Sequence, residues 1–184
     1  MALLDAYKKI TEFLNSGRFN YIVIGGIAAS TIGEARVTVD IDVDIVIDRK
    51  DVPELLDKLK KAGFQVPMKE CLESARQTGV FQISFGDYHI DFIIASTELE
   101  INACQRRHEI SLHGIKAFFP TVEDMILLKL VPGRTKVIAD IEGLISRHRK
   151  KLDKKYLKNW AMQLCDESQD MGIWNTLSDL LGEK

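Results

Sequence analysis

A row of alternating acidic and apolar residues at positions 39–47 carries the clearest chemistry in the sequence. In an extended strand successive side chains point to opposite faces, so Asp40, Asp42 and Asp44 are expected to share one face. Neighbouring carboxylates in such a row stand roughly 6 to 7 Å apart. Each pair would repel by about 2 to 3 kcal/mol at an effective dielectric near 20. A strand in the middle of a sheet would need a cation to tolerate this repulsion, and a divalent metal suits clustered carboxylates.

The acidic row has a second explanation, an edge strand whose charges prevent sheet-to-sheet association. Asp91 favours the metal site, because it lies in another strand-like run, residues 88–94, with apolar neighbours. An acid in such a run is costly to bury unless it is paired or bound to a metal. If the two strands are adjacent, Asp91 completes a three-carboxylate site of the kind that holds two cations for phosphoryl transfer. His89 shares the face of Asp91 and is interpreted as structural.

Gly25 and Gly26 separate a short apolar strand, residues 21–24, from a predicted helix of small residues over 27–32. Such a turn can cradle a phosphate, because glycine lets backbone N–H groups approach an anion at the positive end of the next helix. It can equally be a tight turn that needs small residues. Ser30 could add a hydroxyl to a bound phosphate or simply pack the helix.

The rest of the pattern predicts the elements that would position these groups. Hairpins are expected around Gly86-Asp87 and His113-Gly114, where a turn dipeptide separates two apolar runs. Helical periodicity and caps predict further helices at 3–14, 51–62, 122–131, 135–149, 154–166 and 173–181. The expected fold class is α+β with an α/β-like start: a mixed β-sheet core with flanking helices. We expect an α/β core over 1–120, with a C-terminal helical part, 121–184, packed on it.

Charge, hydropathy and cysteine content limit the compartment and the partners that the sequence predicts. The 184 residues carry a net charge of −2, and no stretch is apolar enough to predict a membrane partner. Three widely spaced cysteines form neither a disulfide framework nor a metal-ligand spacing, so the cytoplasm is the expected compartment. A basic run over 147–158 predicts either a solvated helix face or a site for a polyanion.

The order of these motifs resembles a known family. Gly25-Gly26, then thirteen residues, then Asp40-Ile41-Asp42-Val43 resemble the signature of the DNA polymerase β-like nucleotidyltransferase superfamily. That signature is a Gly-Gly or Gly-Ser turn, a short helix, a strand with two acids one residue apart, and a third acid on a later strand. Residues 120–130 and 133–141 are similar to the small prokaryotic branch related to abortive-infection type IV toxin nucleotidyltransferases. The resemblance covers about residues 20–145.

The resemblance implies an enzyme that uses Mg²⁺ or Mn²⁺ to move a nucleoside monophosphate from an NTP to a hydroxyl. The acceptor would be a small molecule, a tRNA 3′ end or a protein, and a toxin-like role would follow from the branch. Asp40 and Asp42 would bind metal. Asp91 would bind metal or act as general base on the acceptor hydroxyl.

The resemblance also implies a set of nucleotide-binding residues. Gly25 and Gly26 would contact the triphosphate. Lys129 and Arg134 would face the phosphates, with Asp140 orienting one of them. The residues alone suggest a snorkelling surface lysine at position 129. They leave Arg36 as a phosphate contact or an ion-pair partner of one of the acids.

The chain departs from the family pattern at three positions. Gly26 stands where many relatives have serine, Asp44 is an additional acid, and Val137 stands where relatives often have aspartate. The metal pair could be Asp42 and Asp44, although the spacing favours Asp40 and Asp42. Two other functions stay open. One is a non-catalytic nucleotide- or dinucleotide-binding module, with Asp44 near the ribose, and the other is a toxin–antitoxin partner that retains the fold.

Overall fold

The computed structural model describes residues 2–33, 38–132 and 137–182. The strands are β1 (Asn20–Ile24), β2 (Asp40–Val46), β3 (Val80–Phe85), β4 (Tyr88–Ile94), β5 (His108–Leu112) and β6 (Ile115–Phe119). The helices are α1 (Leu3–Ser16), α2 (Gly25–Ile32), α3 (Val52–Lys61), α4 (Met68–Thr78), α5 (Glu98–Gln105), α6 (Val122–Leu130), α7 (Ile138–His148), α8 (Lys154–Ser168) and α9 (Gly172–Leu181).

Four strands form a mixed sheet in the order β1-β2-β4-β3. The β1–β2 and β3–β4 pairs are antiparallel, whereas β2 and β4 run parallel. Strands β5 and β6 form a separate hairpin. The predicted α+β class with a mixed sheet and flanking helices is therefore confirmed.

One face of the sheet is apolar and fully buried, which fixes where the acids of β2 can point. Ile41, Val43 and Ile45 are fully buried on this face. The rings of Phe81 and Phe92 from β3 and β4 stack with their centroids 4.9 Å apart. Burying each such side chain stabilises the fold by about 1.5 to 3 kcal/mol. A slip of one residue would move all of these side chains into water, so the acidic side chains of β2 are held on the opposite face.

A single cluster of buried side chains joins the sheet to the helices at both ends of the chain. Helix α1 contributes Tyr7, Ile10 and Leu14, and the C-terminal helices contribute residues such as Leu144 and Leu157. No helix within the described ranges is both long enough and apolar enough to cross a membrane.

The sequence patterns missed two helices. Helices α4 and α5 were not predicted, although both flank the sheet. Asp51 is the N-cap residue of α3, but its side chain makes no capping hydrogen bond. Thr121 does cap α6, since its hydroxyl accepts a hydrogen bond from the Asp124 backbone N–H. Both predicted hairpins are confirmed.

Candidate active site

The acidic row lies on a central strand of the sheet. Strand β2 has β1 on one side and β4 on the other, so the edge-strand explanation of its charges is wrong. Asp40 and Asp42 are half-buried, and they lie on the face opposite the apolar core. Two half-buried carboxylates in the middle of a sheet are only partly screened by water, which favours a cation between or beside them.

Asp91 lies next to Asp42. The parallel register of β2 and β4 pairs Asp42 with Asp91 and Asp40 with His89. Paired residues of adjacent strands point to the same face, and the strands lie about 4.8 Å apart. Asp40, Asp42 and Asp91 are therefore neighbours on one face of the sheet, and Asp91 is also half-buried.

The glycine turn touches this carboxylate pair. Gly25 has a φ of +63°, and a Cβ built on it would lie 1.8 Å from Asp42 Oδ2. A Cβ on Gly26 would lie 2.5 Å from Thr38 Oγ1. Both positions therefore need glycine, because the backbone packs directly against the start of β2. The turn brings the N-terminus of α2 to the carboxylate of Asp42.

Helix α2 begins at this turn without a side-chain cap: Ile24 occupies the N-cap position and offers no acceptor. Its first turn contains no acidic residue. The N–H groups of an uncapped helix start point outward and carry partial positive charge, which suits a phosphate. Ser30 is half-buried near the other end of this eight-residue helix.

Asp44 differs from the other two acids of the row because helix α5 covers it. Its side chain is only 2% exposed, and its Oδ1 meets no hydrogen-bond donor among the described residues. Burial, together with the nearby charges of Glu100 and Asp42, raises the pKa of Asp44 to about 8. A carboxyl in this state is neutral at pH 7 and is a poor metal ligand, so Asp40 and Asp42 are the better pair.

Lys129 on α6 and Asp140 on α7 form an ion pair. Lys129 Nζ donates to Asp140 Oδ2 at 2.7 Å, and the two side chains are only 13% and 18% exposed. The interpretation of Lys129 as a snorkelling surface lysine is therefore wrong. Arg36 and Arg134, which were predicted to contact phosphates, lie outside the described residues.

Two side chains of the basic run contact the other end of α2. Arg147 Nη1 donates to the Gly33 carbonyl, and His148 Nε2 donates to the Ile32 carbonyl at 2.8 Å. Positive groups at a helix C-terminus stabilise it by interacting with its last carbonyls and its dipole. The hydrogen bonds of Arg147 and His148 therefore hold the end of α2 against α7.

The carboxylates can supply only part of the ligand shell of a metal ion. Across residues 2–33, 38–132 and 137–182, no three His, Cys, Asp or Glu side chains are grouped to hold an ion by themselves. Mg²⁺ usually keeps several waters and binds through one or two carboxylates together with substrate phosphates. The half-buried oxygen donors of Asp40, Asp42 and Asp91 suit such a partial shell.

The chain matches, over residues 1–179, the model of a family described as "Nucleotidyltransferase of unknown function" (DUF6036). No curated protein is significantly similar to it in sequence. The family match confirms the predicted resemblance to nucleotidyltransferases, and the toxin-related branch stays a prediction.

Several solved structures share the fold. A nucleotidyltransferase-like antigenic protein from Paracoccidioides brasiliensis aligns with a TM-score of 0.55 and 18% identity, over 99% of this chain and 93% of that one. The lincosamide antibiotic adenylyltransferase LnuA, solved with lincomycin, aligns with a TM-score of 0.52 and 15% identity, over 74% and 92% of the two chains. The antibiotic-resistance factor ANT(2'')-Ia aligns with a TM-score of 0.50 and 15% identity, over 95% and 86%. At these identities the likeness shows the fold alone.

Sequence reasoning missed two side chains of this face. Gln82 on β3 donates from Nε2 to Asp91 Oδ1 at 2.7 Å, and Glu100 on α5 contributes to the field at Asp44. The position of Gln82 follows from the two-residue turn at Gly86-Asp87, since this turn sets residue 82 opposite residue 91. The sequence also contained a pattern that could have located Glu100, since Thr97 and Glu100 form a capping box at the start of α5.

Proposed function

Since the chain belongs to this family of nucleotidyltransferases, we propose that it transfers a nucleoside monophosphate from an NTP to a hydroxyl, using Mg²⁺ or Mn²⁺ held by Asp40 and Asp42. The pairing of Asp42 with Asp91 on one face of the sheet, against the backbone of Gly25, is the observation that carries this proposal. This arrangement places the carboxylates of Asp42 and Asp91 beside the N-terminus of α2, which suits a phosphate.

In the proposed reaction the acceptor hydroxyl oxygen attacks the α-phosphorus of the NTP. The bond between the α-phosphorus and the oxygen that bridges to the β-phosphate breaks, and pyrophosphate leaves. Asp91 takes the proton of the hydroxyl or helps to hold the metal, since it lies beside Asp42 on the same face. A bound divalent cation would offset the negative charge of the phosphates and of the leaving pyrophosphate.

The remaining residues of the site would bind the triphosphate. Gly25 and Gly26 would present backbone N–H groups at the start of α2, and Ser30 lies in the same helix. Lys129 would face the phosphates, with its ammonium oriented by Asp140 at 2.7 Å. We include Arg36 and Arg134 in this set on the basis of the family pattern.

The acceptor we propose to test first is a small hydroxyl-bearing molecule. Two proteins with this fold are an antibiotic adenylyltransferase and an antibiotic-resistance factor. A tRNA 3′ end and a protein hydroxyl are the other acceptors of the proposal, and with either one the enzyme would act in a toxin-like manner. The dinucleotide-binding alternative loses its basis, because β1 and β2 are antiparallel whereas a Rossmann opening is parallel.

The test is incubation of the chain with each NTP labelled at the α-phosphate, with Mg²⁺ or Mn²⁺, and with separate pools of metabolites, tRNA and protein. We expect label in one pool, and we expect Asp42→Asn to abolish it while the fold stays intact. Asp57→Asn is the matched control, because Asp57 is exposed on α3. Undiminished labelling by the Asp42→Asn variant would remove the mechanism, and binding of NTP without transfer would favour a non-catalytic nucleotide-binding module.

A further inference from the structure

Asp91 has a hydrogen-bond donor on the strand next to it. Gln82 on β3 is the register partner of Asp91 on β4, and the distance from Gln82 Nε2 to Asp91 Oδ1 is 2.7 Å. A carboxylate oxygen only accepts hydrogen bonds, so the amide NH₂ of Gln82 must face it. Gln82 thus occupies one oxygen of the carboxylate that the proposed reaction uses.

The backbone of β3 is anchored at Gln82, whose side chain is exposed. Its backbone carbonyl accepts a hydrogen bond from the thiol of Cys71 on α4, with a distance of 3.2 Å from Cys71 Sγ to the carbonyl oxygen. Burial raises the pKa of Cys71 to about 11, so the thiol keeps its proton and remains a donor. The strand is fixed further by the Ser84 hydroxyl, which donates to Gln65 Oε1 at 2.7 Å.

We propose that Gln82 is a positioning residue that orients the Asp91 carboxylate toward Asp42. With Oδ1 bonded to Gln82, the carboxylate cannot rotate freely about its Cβ–Cγ bond. Oδ2 is then the oxygen with both lone pairs available for the metal or for the proton of the acceptor. This inference rests on the proposed function, because it assigns a role to Gln82 within the same site.

The hydrogen bond also bears on which metal ion is preferred. A carboxylate with one oxygen hydrogen-bonded keeps both lone pairs only on its other oxygen, which favours binding an ion through that single oxygen. Mg²⁺ accepts such single-oxygen ligands in an octahedral shell, whereas Ca²⁺ readily takes both oxygens of a carboxylate. Removing the hydrogen bond should therefore weaken Mn²⁺ and Mg²⁺ binding while leaving Ca²⁺ binding unchanged or stronger.

The test compares Gln82→Met with Gln77→Met in the full chain. Methionine has nearly the length of glutamine and cannot donate a hydrogen bond. Gln77 is the matched control, because its amide donates to the Glu73 carboxylate at 3.2 Å on the exposed side of α4. We expect Gln82→Met to lower kcat and Mn²⁺ affinity about tenfold, as the loss of an outer partner of a metal ligand typically does. The KM for NTP and the melting temperature should stay at the wild-type values.

A double substitution separates positioning from a structural role. If Gln82 acts through Asp91, adding Gln82→Met to Asp91→Asn should change neither kcat nor Mn²⁺ affinity further. A Gln82→Met variant that behaves like Gln77→Met, or one whose effect persists beside Asp91→Asn, would overturn the proposal.

Mn²⁺ binding distinguishes failure of this inference from failure of the proposed function. If the wild-type chain transfers no nucleotide, the proposed function fails, and titration with Mn²⁺ followed by electron paramagnetic resonance still decides the role of Gln82. Weaker binding by Gln82→Met alone would support it. Equal binding by both methionine variants, or no Mn²⁺ binding by the wild type, would reject it.

Discussion

Replacing Asp44 with asparagine is expected to flatten the pH dependence of the free energy of unfolding. Asp44 is buried between β2 and α5, and its Oδ1 has no donor among the described residues. Burial, then the charges of Glu100 and Asp42, raises its pKa from 3.8 to about 8 in the folded chain. The native protein therefore keeps a proton on this carboxyl at pH values where the unfolded chain has lost it.

The sign and size of the effect follow from this difference in bound protons. Folding takes up one proton between about pH 4 and about pH 8, so the free energy of unfolding falls by about 1.4 kcal/mol for each pH unit in that window. From about pH 5 to about pH 7 the Asp44 carboxyl alone lowers the stability by about 3 kcal/mol. Below about pH 4 both states are protonated, and the penalty disappears.

Urea unfolding of the wild type and of Asp44→Asn, in a buffer with EDTA, measures this effect. EDTA is needed because a cation beside Asp42 would change the field at Asp44. The buried amide of the variant adds an offset that does not depend on pH, so the informative quantity is how the difference in unfolding free energy changes with pH. Asp57→Asn is the control, because Asp57 is exposed on α3 and its replacement should give no such change.

As the pH rises from about 5 to about 7, we expect the unfolding free energy of Asp44→Asn to increase by about 3 kcal/mol relative to that of the wild type. A difference that stays constant over this range would show that Asp44 is ionised in the native protein. It would also show that α5 does not shield this carboxyl from water.

Three further substitutions test other parts of the structure. Tyr7→Phe should leave the unfolding free energy unchanged or raise it by up to about 1 kcal/mol in a urea titration, because the buried Tyr7 hydroxyl has no partner among the described residues. Asp124→Ala should lower stability by at least about 3 kcal/mol, since its fully buried carboxylate binds an arginine, a threonine and a tyrosine side chain. Gly25→Ala should reduce nucleotide transfer far more than Gly114→Ala. Both glycines have positive φ, but an added Cβ meets Asp42 at Gly25 and nothing within 4 Å at Gly114.

Each of these expectations has a clear contrary result. A loss of more than about 1 kcal/mol in the Tyr7→Phe variant would mean that the hydroxyl has a stabilising partner. A loss of less than about 1 kcal/mol for Asp124→Ala would mean that its buried network contributes little. Equal transfer rates for the two glycine variants would remove the contact with Asp42 as the reason for glycine at position 25.

The sequence was sufficient to predict the acidic face, because side-chain alternation in β2 depends only on strand geometry. It was also sufficient to predict the glycine turn and the hairpin that carries Asp91. The pairing of Asp42 with Asp91 was only a hypothesis, because β2 and β4 are parallel neighbours joined by a long connection. No local pattern sets the register of such a pair.

The missed helices explain why Asp44 was not distinguished from its neighbours. Helix α5 covers Asp44. The sequence of α5 is short and only weakly periodic, so this helix was not predicted despite the capping box at Thr97 and Glu100. Helix α4 is mostly polar and buries only Cys71 and Ala75, so it offered few apolar positions from which to predict a helix. Which acid of a row is buried depends on what packs over it, and residue spacing alone does not show this.

Anomalous diffraction from crystals containing Mn²⁺ and a non-hydrolysable NTP analogue would show directly whether Asp42 binds the metal. We expect an Mn²⁺ peak at about 2 Å from a carboxylate oxygen of Asp42, with the triphosphate against Gly25 and the Asp91 carboxylate facing the same ion or the α-phosphorus. A peak with no contact to Asp42, or a triphosphate bound away from the glycine turn, would contradict it.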